Sequence, residues 1–267
     1  MSTASTDIQT AWQRLSDEVE KWQIAGREVA LWWRDDDVIE PTPELARLTG
    51  ISQRYDIPLS LAVIPANMSE TLAHNTDLFA ADTCLLVHGL DHRNRALADE
   101  KKAEFTSQRP LADMTADLVR ALALLNNAFP DRALPVLVPP WNRIPDALIP
   151  ILTETGFVGL STYKDRDPNS VHAGLHINNC HVDPINWKAD KTFLGEVATL
   201  DLLTEHLVTK RGRSAGLSAD QGEITGILTH HLVQDAKTWA FLEKFAAWTA
   251  EQPSVRWLDA HEAFKLS

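Results

Sequence analysis

Short apolar runs alternate with segments of helical period along this chain, and that alternation leaves few folds open to it. Residues 29–33, 57–64, 84–87, 134–138, 158–161, 224–229 and 255–258 are strand-length runs rich in Val, Ile and Leu. Between them lie helical stretches. One opens at Thr42-Pro43-Glu44, an N-cap followed by proline at the first helical position, and continues to about Tyr55. Others are expected at 69–74, at 115–129, where Leu118, Leu122, Leu125 and Phe129 fall on one face, at 145–155 with Gly156 as its stop, and at 199–210 and 236–250. Strand and helix in alternation imply a parallel sheet, open or closed into a barrel, in which all strand C-termini share one face. Ahead of this pattern, Ile8, Trp12, Leu15, Val19 and Trp22 predict an amphipathic helix over about 5–24, packed on the body of the fold and ended by Gly26. Residues 162–192 read as an irregular loop or hairpin excursion, and 211–221 as a polar linker or mobile loop. The expectation is one domain over 1–267.

What sits at the strand ends is chemically loaded. The run Leu31-Trp32-Trp33-Arg34-Asp35-Asp36-Asp37 drives an apolar segment straight into three carboxylates. Adjacent negative charges at a buried strand end repel one another unless a cation or a fixed hydrogen-bond network compensates. A solvated turn or a set of helix caps would need only one aspartate. The run from Cys84 to Val87 ends as abruptly in His88-Gly89-Leu90-Asp91-His92. Histidines four apart are weak evidence alone, since they can share a helix face or sit in a polar loop. Directly after a buried strand, and paired with a carboxylate from another, they have the composition of an open divalent-metal site.

Two further segments join them. Val138-Pro139-Pro140-Trp141-Asn142-Arg143 follows a strand with a rigid double proline and presents Trp141 as a pocket wall. Leu228-Thr229-His230-His231 ends a late strand, and only one of the two histidines can face the barrel mouth because neighbours alternate.

Composition narrows the partners. The formal net charge of −12 and pI near 5.2 argue against nucleic acid or an anionic membrane surface. Two distant cysteines, Cys84 and Cys180, make no disulfide framework. The first ten residues lack the apolar core of a signal peptide and no run has the length of a membrane span, so a cytoplasmic protein is expected.

In this order, the Asp pair after the first strand, His-x-x-x-His after a later one, a Pro-Pro-aromatic segment and a terminal Leu-x-His strand resemble the polysaccharide deacetylase superfamily (NodB-homology, carbohydrate esterase 4). The resemblance spans roughly residues 29–235, and Thr42-Pro43-Glu44-Leu45 is similar to that family's first helix. It implies a distorted (β/α) barrel of about seven strands and a metal-dependent hydrolase that removes an acetyl group from an N-acetylated sugar or a related amide. Carried over residue by residue, Asp37, His88 and His92 would hold one divalent ion, Asp36 would be the base and His230 the acid. A register one residue earlier, with Asp35 as base and Asp36 as ligand, fits nearly as well. Arg34-Asp35-Asp36-Asp37-Val38 resembles the Arg-x-Asp-Asp-Val variant of distant relatives, which favours the later register. Zinc is the first expectation for the ion, with cobalt, nickel, iron and manganese compatible with the same ligands. Trp141 and Leu228 would line the acyl methyl pocket. Pro140, Arg143 and Asp183, with His181 and Trp187 of the irregular segment, are candidate substrate contacts.

Three positions depart from the family pattern. Val138 stands where an arginine orients the base, so that Arg34 or Arg143 would have to substitute. Val38 replaces the glycine after the acidic pair, and Gly89 replaces the Ser or Thr that follows the first histidine. The alternative readings are a catalytically inactive metal- or carbohydrate-binding barrel and a hydrolase of a small non-sugar amide.

Overall fold

The computed structural model describes residues 3–167, 172–213 and 223–266, so most of the linker expected over 211–221 lies outside the described residues. The described strands are β1 (Val29–Val38), β2 (Leu59–Val63), β3 (Cys84–Val87), β4 (Ala133–Leu137), β5 (Gly159–Leu160), β6 (His176–Ile177), β7 (Cys180–Val182), β8 (Ile185–Asn186), β9 (Thr192–Phe193), β10 (Thr225–Thr229) and β11 (Val255–Trp257). The helices are α1 (Thr3–Ile24), α2 (Pro43–Tyr55), α3 (Glu70–His74), α4 (Leu111–Ala128), α5 (Ile151–Glu154), α6 (Glu196–Arg213), α7 (Ala236–Ala250) and α8 (Ala260–Ala263). Thr42 caps α2 through its side chain, which accepts the Leu45 N–H, and Pro43 occupies the first turn as the sequence predicts.

Every pairing in the main sheet is parallel, in the order β6-β5-β4-β3-β2-β1-β10-β7, with β11 lying along the start of β1. Its terminal strands β6 and β7 are neighbours in the chain. Both lie along the segment leaving β5: Asn178 N–H donates to Leu160 O at 3.1 Å, Cys180 N–H to Thr162 O at 3.0 Å and Lys164 N–H to Cys180 O at 2.7 Å. The sheet therefore curls into the expected distorted (β/α) barrel. The segment read as irregular supplies that closing edge and the antiparallel β8–β9 hairpin. Its strands are only two or three residues long, too short to carry a periodic signal.

Alternation on β1 sorts the core into two layers. Leu31 and Trp33 face outward into the large cluster shared with the helices, together with Leu15, Val19 and Trp22 of α1. Trp32 faces the barrel interior with Ala62, Leu86, Val136, Val138 and Leu228. It fills that interior so fully that a Cβ on Gly226 would lie 2.5 Å from Trp32 Nε1 and 2.5 Å from Asn179 O, which explains the glycine in the middle of β10. One expected helix differs. Residues 145–155 form a 3-10 turn at Asp146–Leu148 and then the short α5, because Pro150 lacks the N–H that a continuous helix needs. No described helix is long and apolar enough to cross a membrane.

Candidate active site

The strand continues through the aspartates instead of ending before them, and this decides where each carboxylate points. Arg34 and Asp36 keep the inward parity of Trp32. Asp35 takes the outward parity of Trp33, where Thr229 Oγ1 (2.7 Å), the His231 N–H (3.0 Å) and His231 Nδ1 (2.5 Å) surround its carboxylate. Burial opposes a charged His231, but Asp35 outweighs it and the imidazole pKa is raised. Asp37 breaks the alternation: its backbone adopts φ 72° at a register shift between Asp35 and Val38, and the bulge swings its side chain to the mouth of the barrel. Histidines 230 and 231 divide as alternation requires, His231 on Asp35 and His230 inside, with His230 Nε2 at 3.9 Å from Asp36 Oδ2.

At the mouth, Asp37 Oδ1 lies 3.1 Å from His88 Nε2 and 3.2 Å from His92 Nε2. The geometry of this trio fits a divalent cation. His88 Nδ1 is 2.9 Å from Val138 O and must donate to it, so in the neutral ring Nε2 presents a lone pair to the carboxylate. Two acceptors at 3.1 Å repel unless a positive charge stands between them. The protonation pattern of Asp37 and His88 expresses the same demand, while burial and the charge of His88 lower the pKa of His92 and favour its neutral ring. Burial works against a charged His88, yet Asp36 and Asp37 raise its pKa. Burial likewise opposes a charged Asp37, but the hydrogen bond to His88 and the charges of His88, His230 and His92 hold its pKa well below the usual carboxylate range. Two imidazole nitrogens and one carboxylate oxygen are the donor set of an open catalytic zinc-type site.

Asp36 is gripped from behind. Arg34, fully buried, donates from Nη2 to Asp36 Oδ2 at 3.0 Å and holds Nε 2.9 Å from Oδ1, a buried ion pair with one hydrogen bond. The remaining donors of the fork are held by Ser161 Oγ (2.6 Å), Thr162 O (3.2 Å) and Asn142 Oδ1 (2.7 Å). Asn142 belongs to the double-proline segment, where Trp141 and Asn142 both have positive φ. That backbone sets the Trp141 ring, tilted, 4.3 Å from His92 and buries Pro140 over Gly89. On the other flank, Trp187 meets the His230 ring edge-on at 4.7 Å and donates from Nε1 to Asp183 Oδ2 at 2.7 Å. Burial raises the Asp183 pKa, against the opposing pull of His230, Trp187 and the Ile185 amide. Leu228 is buried in the barrel interior, opposite Arg34 in register. Arg143 turns away, donating to Lys102 O at 2.6 Å, and lines an open cleft of about 470 Å³ with Asn142, Thr162 and Tyr163.

No protein-family model and no curated protein sequence matches this chain. Solved structures do. A provisionally assigned polysaccharide deacetylase from Mycobacterium smegmatis superimposes over 89% of this chain and 90% of its own, with a TM-score of 0.64 at 15% identity. The fold is that of the polysaccharide deacetylases. A peptidoglycan N-acetylglucosamine deacetylase, Bc1960, matches over 90% of both chains at TM-score 0.55 and 14% identity. A family 4 acetyl xylan esterase from Clostridium thermocellum, solved with a cobalt ion, covers 89% of this chain and 91% of its own at TM-score 0.52 and 13% identity.

On this fold the buried side chain of Arg34, within the first motif, makes the arginine contact to Asp36 that Val138 cannot make. Arg34 and Asp36 are two apart on one strand, so they share a face, a pairing that strand parity alone could have indicated. Less legible was His231, whose contact with Asp35 depends on β1 and β10 being adjacent. A second grouping, Asp165 with His181 and His206 of α6, has ligand residue types but the wrong tautomer. His181 Nδ1 accepts the Gly226 N–H at 3.0 Å, so Nε2 carries the ring proton, 3.4 Å from Glu223, and offers no lone pair to a cation.

Proposed function

We propose that this protein is a metal-dependent deacetylase of the carbohydrate esterase 4 type, acting on the acetyl group of an N-acetylated sugar. The observation that carries the reading is the convergence of Asp37, His88 and His92 on one point beside an Arg34-clamped Asp36. The divalent ion those three residues would hold supplies Lewis acidity, acidifying water and polarising the acyl oxygen.

The chain's own residues do the rest. Asp36 takes the proton of the attacking water, and the buried Arg34 ion pair, with its Nη2–Oδ2 hydrogen bond, orients the carboxylate for that task. His230 faces Asp36 at 3.9 Å and hands a proton to the leaving nitrogen, which is a poor leaving group without one. Trp187, anchored on Asp183, packs edge-on against the His230 ring. Trp141 and Trp187 flank the two histidine-bearing sides and present apolar walls to an acyl group and a sugar ring. Asp35 is given no proton transfer in this scheme: its hydrogen bonds to Thr229 and His231 brace the loop that carries His230. The arginine clamp supports the catalytic reading over the inactive-barrel alternative, because the base keeps its orienting cation despite Val138.

The test is acetate release from N-acetylated chito-oligosaccharides by zinc-loaded protein, beside Asp36→Asn. Release by the wild type and loss in the variant, with metal retained, are expected. A metal-loaded wild type inert on acetylated sugars but active on small amides would move the substrate class, and inertness on both would favour a binding role.

A further inference from the structure

The residues His88-Gly89-Leu90-Asp91-His92 do not form a helix, so their spacing does not by itself bring the two histidines together. Their rings nevertheless lie 5.0 Å apart and both reach Asp37. Gly89 adopts φ 62° and His92 φ 53°, the latter a strained conformation for a residue with a Cβ. Something outside the segment must hold it.

That holder is a single buried side chain. Glu104 is wholly inaccessible to solvent and arrives from the far end of the same long loop. Its Oε1 accepts the amides of Leu90 (2.8 Å) and Asp91 (3.3 Å), and its Oε2 accepts the amide of His92 (2.9 Å). Three successive backbone donors thus converge on one carboxylate, an arrangement equivalent to an anion in a backbone nest. Asp91 is fixed in turn by a two-pronged contact with Arg95 at 2.7 and 2.8 Å, and Arg109 donates to the Glu104 carbonyl at 3.2 Å. Gly89 completes the device. A Cβ there would fall 2.4 Å from Glu104 Oε2 and 2.7 Å from the Pro140 ring, so a side chain at 89 and a carboxylate at 104 exclude each other.

We propose that Glu104 is the positioning residue of the metal-ligand loop: through the Leu90, Asp91 and His92 amides it sets the His92 ring against Asp37, and Gly89 is its obligate partner. This rests on the assignment of Asp37, His88 and His92 as ligands. It differs from a generic structural role because one of the three amides belongs to the ligand residue itself.

The experiment uses the full chain with zinc and cobalt(II) as probes. Glu104→Gln keeps the shape but replaces one acceptor oxygen by an NH2 group facing backbone donors. Zinc affinity, read by chelator competition, is expected to fall by about 10- to 100-fold, the range seen when an outer-sphere partner of a ligand is removed. The visible absorption of the cobalt(II) form should change with it. In a His92→Ala background the same substitution should cost little further affinity, since the ligand it acts through is gone. A folded Glu104→Gln protein with wild-type zinc affinity and cobalt spectrum overturns the proposal, as does an equal loss in the His92→Ala background. A wild type that binds neither metal sinks the ligand assignment instead. Amide exchange in the metal-free wild type gives a readout independent of any variant: protection at residues 90–92 is expected, and free exchange there refutes the clamp.

Discussion

Replacing Arg34 with methionine removes the only guanidinium in contact with Asp36 among the described residues while keeping most of the apolar stem. The structure sets the magnitude. Asp36 is about 1% exposed, and both of its oxygens face Arg34 at 2.9 and 3.0 Å. Without that partner a carboxylate is left buried and uncompensated, a change that costs about 3–5 kcal/mol. Ser161, Thr162 and Asn142 lose a donor as well, each an added penalty of the same kind. Set against a total stability of about 5–15 kcal/mol, the variant should still fold. Its urea midpoint should drop by on the order of 1–2 M. The decisive comparison is the double variant Arg34→Met/Asp36→Asn. A neutral amide needs no counter-charge, so the second substitution should restore about 1–3 kcal/mol of what the first removed. Urea unfolding followed by tryptophan fluorescence reads all four corners of the cycle. A loss below about 1 kcal/mol for Arg34→Met, or two substitutions that simply add, would refute the claim that Arg34 is the counter-ion of Asp36.

Further outcomes follow from the same geometry. Asp36→Asn should lower acetate release by about 10²- to 10⁴-fold with metal content unchanged, whereas Asp35→Asn should cost about 1–3 kcal/mol of stability and leave metal bound. Metal loss in Asp36→Asn would restore the earlier register, which mass spectrometry of the purified variants decides. Gly226→Ala forces a methyl into Trp32 and the β7 backbone and should destabilise the fold by about 1–3 kcal/mol, read by thermal unfolding. His206, lowered to about 3 chiefly by burial, with the Lys210 charge acting in the same direction, binds fewer protons folded than unfolded. Stability it contributes is therefore complete above about pH 6.5 and lost as pH falls toward 3, and His206→Gln should flatten that part of the pH profile. An unchanged acid limb would contradict it.

The barrel was legible because its longer strands are continuous apolar runs and its helices are periodic and capped, as Thr42-Pro43 shows for α2. The closing edge was not, since β6 and β7 owe their conformation to partners on β5 and β10 and not to local preference. At the site, residue types located Asp37, His88 and His92, and parity separated His230 from His231. Parity also misleads at one point: only the bulge at Asp37 turns two consecutive aspartates to the same cavity, and no residue type there announces a positive φ. Glu104 had no signal at all. A glutamate in a polar loop looks solvated until the fold wraps three amides around it.

The central claim is that Asp37, His88 and His92 hold a catalytic divalent ion, and metal stoichiometry tests it most directly. Purified protein loaded with zinc, freed of excess and measured by mass spectrometry should carry close to one ion per chain. The His88→Ala/His92→Ala variant, shown folded by circular dichroism, should carry almost none. A wild type that retains no zinc, cobalt, nickel, iron or manganese after loading, or a double variant that retains as much as the wild type, would contradict the account.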